Sequence, residues 1–334
     1  MQRLRMNQAI AAAMSAEMEA DESVILMGED VAAAEGVFKT SEGMLERFGA
    51  TRVRDTPISE MGFMGAGVGA AMRGVRPIVE IMFVEFLGVA LDQLVTTAAK
   101  MRYMSGGTLH VPLTVRASIG AGAGFGCQHS QTCETWMAAT PGLKVAVASG
   151  PRTAYGLVRA AIRDDDPVVV LEPRVLYGTR EQFDPADTGV TLGSVEMVQP
   201  GEDVTVVGLG TTVTTVREAV EGADWSAEVI DLLTLYPWDA TAVRASVRKT
   251  GRLVVVEETP RTGGWGADIV ADVATHCHGD LVAPPVRVTA PDAPVPYGSH
   301  LEKEYLPDAA AVRAQIDSLV ATGEPVPAWW EVTA

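Results

Sequence analysis

Two short segments hold the residue types that move protons. Glu60 lies in TPISEMG (56–62), after a proline turn and before a run of small residues, GFMGAGVGAAM (62–72). A carboxyl set against closely packed backbone is costly to bury unless something hydrogen-bonds it. By position alone Glu60 reads as a solvated glutamate. His129 lies in CQHSQ (127–131), behind the glycine-rich stretch 120–126. It is one of five histidines, with His110, His276, His278 and His300. A loop histidine beside glycine hinges is a candidate acid–base group, and otherwise a surface residue. Ser130 lacks a GxSxG setting, which argues against a serine hydrolase. The three cysteines, Cys127, Cys133 and Cys277, form no CxxC pair. A structural zinc site and a disulfide framework are therefore both poor readings.

Two glycine patterns imitate dinucleotide fingerprints. Gly65, Gly67 and Gly69 give G-x-G-x-G rather than G-x-G-x-x-G, with no strand running directly into them. Glycine costs about 1 kcal/mol relative to alanine inside a helix, so such a run needs a packing reason. Close packing of a helix at 62–72 supplies one. Gly208-Leu209-Gly210 does follow an apolar strand and open a helix. It lacks the third glycine, and Asp231 is the sole acidic candidate for a ribose contact.

The elements that must position these residues alternate. Apolar strands are expected at 24–27, 52–54, 77–82, 113–116, 144–148 and 167–171, and helices at 6–20, 62–72, 91–103 and 153–163. The stretch 181–201 is polar and turn-rich and reads as a linker. The alternation then resumes, with strands at 204–208, 228–231, 252–257 and 286–288, and helices at 212–220, 241–249 and 267–275. This predicts an α/β protein of two parallel-sheet domains, 1–180 and 202–334. Hydrophobic residues make up 47% of the 334, enough for two cores. Lys plus Arg is 26 against 43 Asp plus Glu, a net charge of −17 that repels nucleic acid. No apolar run is long enough for a bilayer and no signal-peptide core opens the chain, so a soluble, cytoplasmic protein with no membrane partner is expected.

An ordered set of motifs then narrows the reading. GEDVAAAEGVFKTSEGMLERFG (28–49), DTPISEMGFMGAGVGAAMRGVRPIVEIMFVEF (55–86), LDQLVTTAAKMRYMSGG (91–107), QHSQ (128–131), PGLKV (141–145) and DDDPVVVLEPRVLY (164–177) occur in this order. VTVVGLGTTV (204–213), EVIDLLTLYPWD (228–239), TGRLVVVEE (250–258) and GGWGADI (263–269) follow. Together they resemble the beta subunit of the thiamine-diphosphate-dependent decarboxylating component of 2-oxoacid dehydrogenase complexes, of pyruvate, branched-chain or acetoin type. The stretches MFVEFLGVALDQ (82–93), KMRYMSGG (100–107) and GAGFGCQHSQ (122–131) look closer to acetoin dehydrogenase than to the mammalian pyruvate enzyme.

The resemblance implies a pyrimidine-type thiamine-diphosphate-binding domain followed by a transketolase C-terminal-type domain. Thiamine diphosphate carries the hard chemistry at its thiazolium carbon. Glu60 matches the glutamate that hydrogen-bonds N1′ of the aminopyrimidine, a task for a poorly solvated carboxyl. Ile58 would line the cofactor pocket and Phe86 would stack on the aminopyrimidine, unless Phe86 is plain core. His129 matches the histidine of proton transfer and reaction with the lipoyl group. Leu113, Ala161, Ile162, Asp164 and Asp166 match a monovalent-cation (K+) site, mostly through backbone carbonyls. Asp166 replaces the more usual asparagine there, and a solvated acidic turn is the other reading of 164–166.

A missing motif matters equally. This cofactor's diphosphate and Mg2+ are held by a Gly-Asp-Gly segment, and no GDG occurs in the chain. The resemblance therefore implies an alpha subunit that carries it, in an α2β2 heterotetramer, with a lipoyl acyltransferase core as a further partner. The substrate would be a 2-oxo acid or acetoin. Two rivals stand beside this: half of a split transketolase acting on sugar phosphates, and a non-catalytic nucleotide-binding scaffold built on Gly208–Gly210.

Overall fold

The computed structural model describes residues 1–331, in two compact units. The first comprises Met1–Ile119, Trp136–Leu192 and Leu235–Pro237; the second comprises Gly120–Thr135, Gly193–Thr234 and the chain from Trp238 onward.

The first unit contains β1 (Gln2–Arg5), α1 (Met6–Ala20), β2 (Val24–Gly28), α2 (Met44–Phe48), β3 (Val53–Asp55), α3 (Glu60–Ala71) and β4 (Arg76–Ile81). Then come α4 (Leu87–Leu91), α5 (Ala99–Met104), β5 (Thr114–Ile119), α6 (Glu134–Ala138, which begins in the second unit), β6 (Lys144–Val147), α7 (Pro151–Arg163), β7 (Val168–Pro173) and β8 (Arg180–Phe183). Strands β6-β7-β5-β4-β2-β3 pair in that order, all parallel. The interior strands β2, β4, β5 and β7 are almost wholly buried, as expected of a parallel sheet covered on both faces. Helix α3 lies so close to the sheet that a Cβ on Gly67 would stand 2.8 Å from Val79 Cγ2. Close packing thus accounts for Gly67, and Gly65 abuts the Gln93 side chain, whereas Gly69 has nothing within 4 Å of where its Cβ would stand.

Charge interrupts this sheet at one place. Arg116 of β5, 1% exposed, pairs in register with Glu80 of β4. Its Nη1 donates to Glu80 Oε2 at 2.7 Å; its Nε and Nη2 donate to Glu172 Oε1 and Oε2 of β7 at 2.7 and 2.9 Å. Tyr177 Oη and Thr40 Oγ1 donate to the two carboxylates as well. Burial opposes the charge on Arg116, but Glu172 and Glu80 outweigh it and hold the guanidinium protonated well above its ordinary range. A buried ion group is tolerable when every arm has a partner.

Two expectations need correction. The stretch 180–201 is more than a linker. Its first residues form β8, which pairs antiparallel with β1, and Glu196–Gln199 form β9. Both are short, half-polar edge strands, so they lack the apolar run that marks an interior strand. The single helix expected at 91–103 is instead α4, a π-helical segment Asp92–Ala98, and α5. Three β-branched residues in a row, Val95, Thr96 and Thr97, disfavour regular α geometry there.

The second unit contains β9, β10 (Val204–Gly208), α8 (Thr211–Val220), β11 (Ala227–Asp231), β12 (Thr234–Tyr236), α9 (Ala240–Thr250), β13 (Leu253–Pro260), α10 (Gly266–His276), β14 (Val286–Ala290), α11 (Ser299–Tyr305) and α12 (Ala309–Thr322). Leu235 and Tyr236 of β12 are counted with the first unit, where they edge its sheet. The second sheet runs β14-β13-β10-β11-β9, parallel except for the edge strand β9. Helix α12 was not anticipated, although its ends are marked: Asp308 Oδ1 accepts from Ala311 N at 2.7 Å, and Gly323 closes it in the left-handed region. Among the described residues no helix is long and apolar enough to cross a membrane.

Candidate active site

In an open parallel sheet, ligands meet the loops that leave the carboxyl ends of the strands. Here β2, β3 and β4 lie side by side and deliver Glu29, Glu60 and Phe86 just beyond those ends. The loops are tied together locally. Asp55 accepts from Ala32 N at 2.6 Å and Ala33 N at 3.1 Å, and Thr56 N donates to Gly28 O at 2.9 Å.

Glu60 opens helix α3 and is 8% exposed, while Ile58, two residues earlier, is 85% exposed. Met61 and Val89 are exposed too. The mouth is thus a buried carboxyl rimmed by bare apolar side chains. Among the described residues none donates a hydrogen bond to the Glu60 carboxyl. Glu29 is buried within electrostatic reach of it. Burial first, then the charges of Glu60 and Asp30, push the Glu29 carboxyl above its ordinary range. Its Oε1 is buried without a partner, as is Thr56 Oγ1. Phe86 is half-buried and stands edge-on to Phe83, with centroids 6.0 Å apart and planes at 86°. The raised position of the Glu29 carboxyl favours its protonated form. Such a mouth suits a heteroaromatic ring nitrogen, which can share that proton.

His129 belongs to the second unit. It is half-buried, and its N–H donates to Gly126 O at 3.3 Å. Five residues on, Glu134 is fully enclosed, and burial pushes its carboxyl up to about 8 against the opposing hydrogen bond from Thr132. Its Oε2 and the neighbouring Ser130 Oγ are buried without partners. Neither Glu29 nor Glu134 was singled out from sequence. A lone glutamate after a strand or before a helix carries no pattern that separates it from a solvated one.

The residues matched to a cation site do converge, at the opposite, amino-terminal edge of the first sheet. Arg76 Nη1 donates to Ile162 O and Asp164 O at 3.1 and 2.9 Å. Lys144 Nζ donates to both Asp164 oxygens at 2.8 and 2.6 Å, and Arg102 Nη1 to both Asp166 oxygens at 2.7 and 2.6 Å. Leu113 O accepts from Val168 N and Ala161 O from Asp164 N. Three of the protein's own cations already neutralise this edge. Each of the three is matched by one of the aspartates 164–166, so this edge is an internally paired charge cluster.

Comparison with known proteins agrees with the fold. Residues 2–180 match the family model described as transketolase, pyrimidine binding domain, and residues 193–312 match the transketolase C-terminal domain. The chain is 42% identical to the pyruvate dehydrogenase E1 component subunit beta of Rhizobium meliloti (strain 1021), over 92% of this chain and 68% of that protein. It is 40% identical to the acetoin:2,6-dichlorophenolindophenol oxidoreductase subunit beta of Bacillus subtilis (strain 168), over 91% and 93%. It is 39% identical to the 2-oxoisovalerate dehydrogenase subunit beta of the same organism, over 93% and 97%. These identities do not favour the acetoin type over the others. Among solved structures, one described as a split gene transketolase, inactive beta4 tetramer, superposes with a TM-score of 0.77 over 95% of this chain and 98% of that one, at 22% identity. That likeness carries the fold alone. By these matches over nearly its whole length, the chain belongs to the family of dehydrogenase E1 component beta subunits, built from a transketolase pyrimidine-binding domain and a transketolase C-terminal domain.

Proposed function

We propose that this chain is the aminopyrimidine half of a thiamine-diphosphate site in a 2-oxoacid or acetoin dehydrogenase, active only with an alpha subunit. The observation that carries this is the Glu60 mouth: a buried carboxyl beside a second one with an orphaned oxygen, rimmed by exposed apolar side chains. Glu60 would hold a proton against N1′ of the aminopyrimidine, and Phe86 and Ile58 would flank the ring. When bound, thiamine diphosphate supplies the carbon centre that takes up the substrate's carbonyl. Among the described residues no group of three or more His, Cys, Asp or Glu is placed to hold a metal ion. Because the sequence has no GDG segment, diphosphate and Mg2+ are assigned to the alpha subunit. His129 would handle protons when the acyl group passes to a lipoyl group on an acyltransferase core, within an α2β2 assembly. At the opposite edge of the sheet, the internal cations Arg76, Lys144 and Arg102 would replace any need for K+.

The test is reconstitution. This chain is mixed with a GDG-containing alpha subunit, thiamine diphosphate and Mg2+, and reduction of an artificial electron acceptor is followed with pyruvate, a branched-chain 2-oxo acid or acetoin. Turnover in the mixture with one of the three is expected. Turnover with sugar phosphates alone would support the transketolase rival and overturn this reading.

A further inference from the structure

We propose that Glu302 and Glu258 form an anionic clamp that sets the conformation of the loop bearing His129, making Glu302 a positioning residue. The functional half of this rests on the reading of His129 as the acyl-transfer group.

The loop is a chain of amides turned toward one side. Gly120, Gly122, Gly124 and Gly126 have φ of +94°, +90°, +77° and +70°, and the residues between them do not share that region. Alternating backbone of this kind folds successive N–H groups into a concave anion-binding nest. The protein fills the nest itself. Glu258 Oε1 accepts from Ala121 N at 2.6 Å. Glu302, on α11, accepts from Gly122 N at 2.7 Å and from Gly124 N at 3.1 Å through its other oxygen. Gly120 N donates to Gln131 O at 2.9 Å and closes the neck of the loop, two residues beyond His129.

The clamp is anchored on both sides. Glu258 also accepts from Thr211 Oγ1 at 2.7 Å. Glu302 is 2% exposed and has no ion pair among the described residues, so its burial is offset by the loop amides. Carboxylate-to-amide bonds belong to the strong, charge-assisted class. Residues 122–125 are exposed, while Ala121 at the loop's start packs with Ala290, Val295 and Tyr305, so the clamp bonds are what hold the exposed middle of the loop. Removing the carboxylate therefore frees the loop that carries His129 while leaving both sheets intact.

The experiment uses the reconstituted alpha–beta assembly carrying Glu302→Ala or Glu302→Gln, with His129→Ala in parallel. Amide hydrogen exchange over 120–131 reports the clamp itself. Exchange about tenfold faster there in Glu302→Ala, with the rest of the chain unchanged, is expected, and less in the isosteric Glu302→Gln. Reductive acylation of a lipoyl domain should fall about tenfold or more in kcat, with KM little changed, because a misplacement of about 1 Å is that costly. Reduction of the artificial acceptor should fall far less. Unchanged exchange in both variants overturns the clamp. Faster exchange with undiminished acylation overturns the positioning role if His129→Ala still impairs acylation. If His129→Ala also spares acylation, the functional half falls with the His129 reading, and the clamp stands on exchange alone.

Discussion

The two edges of the first unit's sheet treat their carboxyl groups in opposite ways. At the amino-terminal edge, Asp164, Asp165 and Asp166 are met by Lys144, Arg76 and Arg102. At the carboxyl edge, Glu29 and Glu60 are buried within electrostatic reach of each other at an apolar mouth, with an oxygen of Glu29 unpartnered. Between them, Arg116 is buried with every arm engaged. Satisfied charges hold the scaffold, and the unpartnered Glu29 oxygen lies at the mouth proposed above as the cofactor site. A fold can carry a costly buried carboxyl where ligand binding later offsets it.

The comparison can be broken most sharply at Glu60. Glu60→Ala is expected to lower turnover of the reconstituted enzyme by about 10³-fold or more while the subunits still assemble, as read by steady-state kinetics and sedimentation. Near-normal turnover would remove Glu60 from the site. The scaffold centre comes next. Arg116→Ala leaves two buried carboxylates unpaired and should cost about 3–5 kcal/mol in chemical denaturation. A loss under 1 kcal/mol would mean the ion group is not structural. Gly67→Val should cost about 1–3 kcal/mol by overpacking against Val79, with a neutral result showing that α3 can shift.

The pH responses of the two edges should have opposite sign. Glu29 is held above its ordinary range, so it binds a proton in the folded state that the unfolded chain has lost. Its contribution is full at low pH and disappears as pH rises through the folded value. Asp165 is held below its ordinary range, first by the hydrogen bond from Arg76, so its contribution is present at higher pH and lost on acidification. Glu29→Gln should therefore flatten the fall in stability as pH rises from the ordinary carboxylate range, and Asp165→Asn the fall as pH drops through and below it. Identical pH profiles for the two variants would contradict the contrast. The smallest effect is expected from exchanging K+ for Na+ or choline at constant ionic strength, which should leave turnover and thermal midpoint unchanged. A K+-specific gain would return the cation to Leu113, Ala161, Ile162, Asp164 and Asp166.

What the sequence disclosed and what it hid divide along physical lines. Interior parallel strands are legible because burial on both faces demands continuous apolar runs, and Gly67 of α3 is legible because only close packing excuses it. The role proposed for Glu60 comes from its motif, not from any property of a single glutamate. The edge pairing of β1 with β8 is hidden, because it joins residues some 180 positions apart through short polar strands. The proximity of Glu29 to Glu60 is hidden too, since it follows from which strands lie side by side. Glu302 reaches the loop from 180 residues away, which no local pattern could show.

The most direct test of the half-site is calorimetric titration of thiamine diphosphate with Mg2+ into this chain alone, the alpha subunit alone and their mixture. Stoichiometric binding in the mixture, weakened by Glu60→Ala and absent from this chain alone, is the expected result. Full-affinity binding by this chain alone would contradict the account, because the sequence lacks the GDG segment to which diphosphate and metal are assigned.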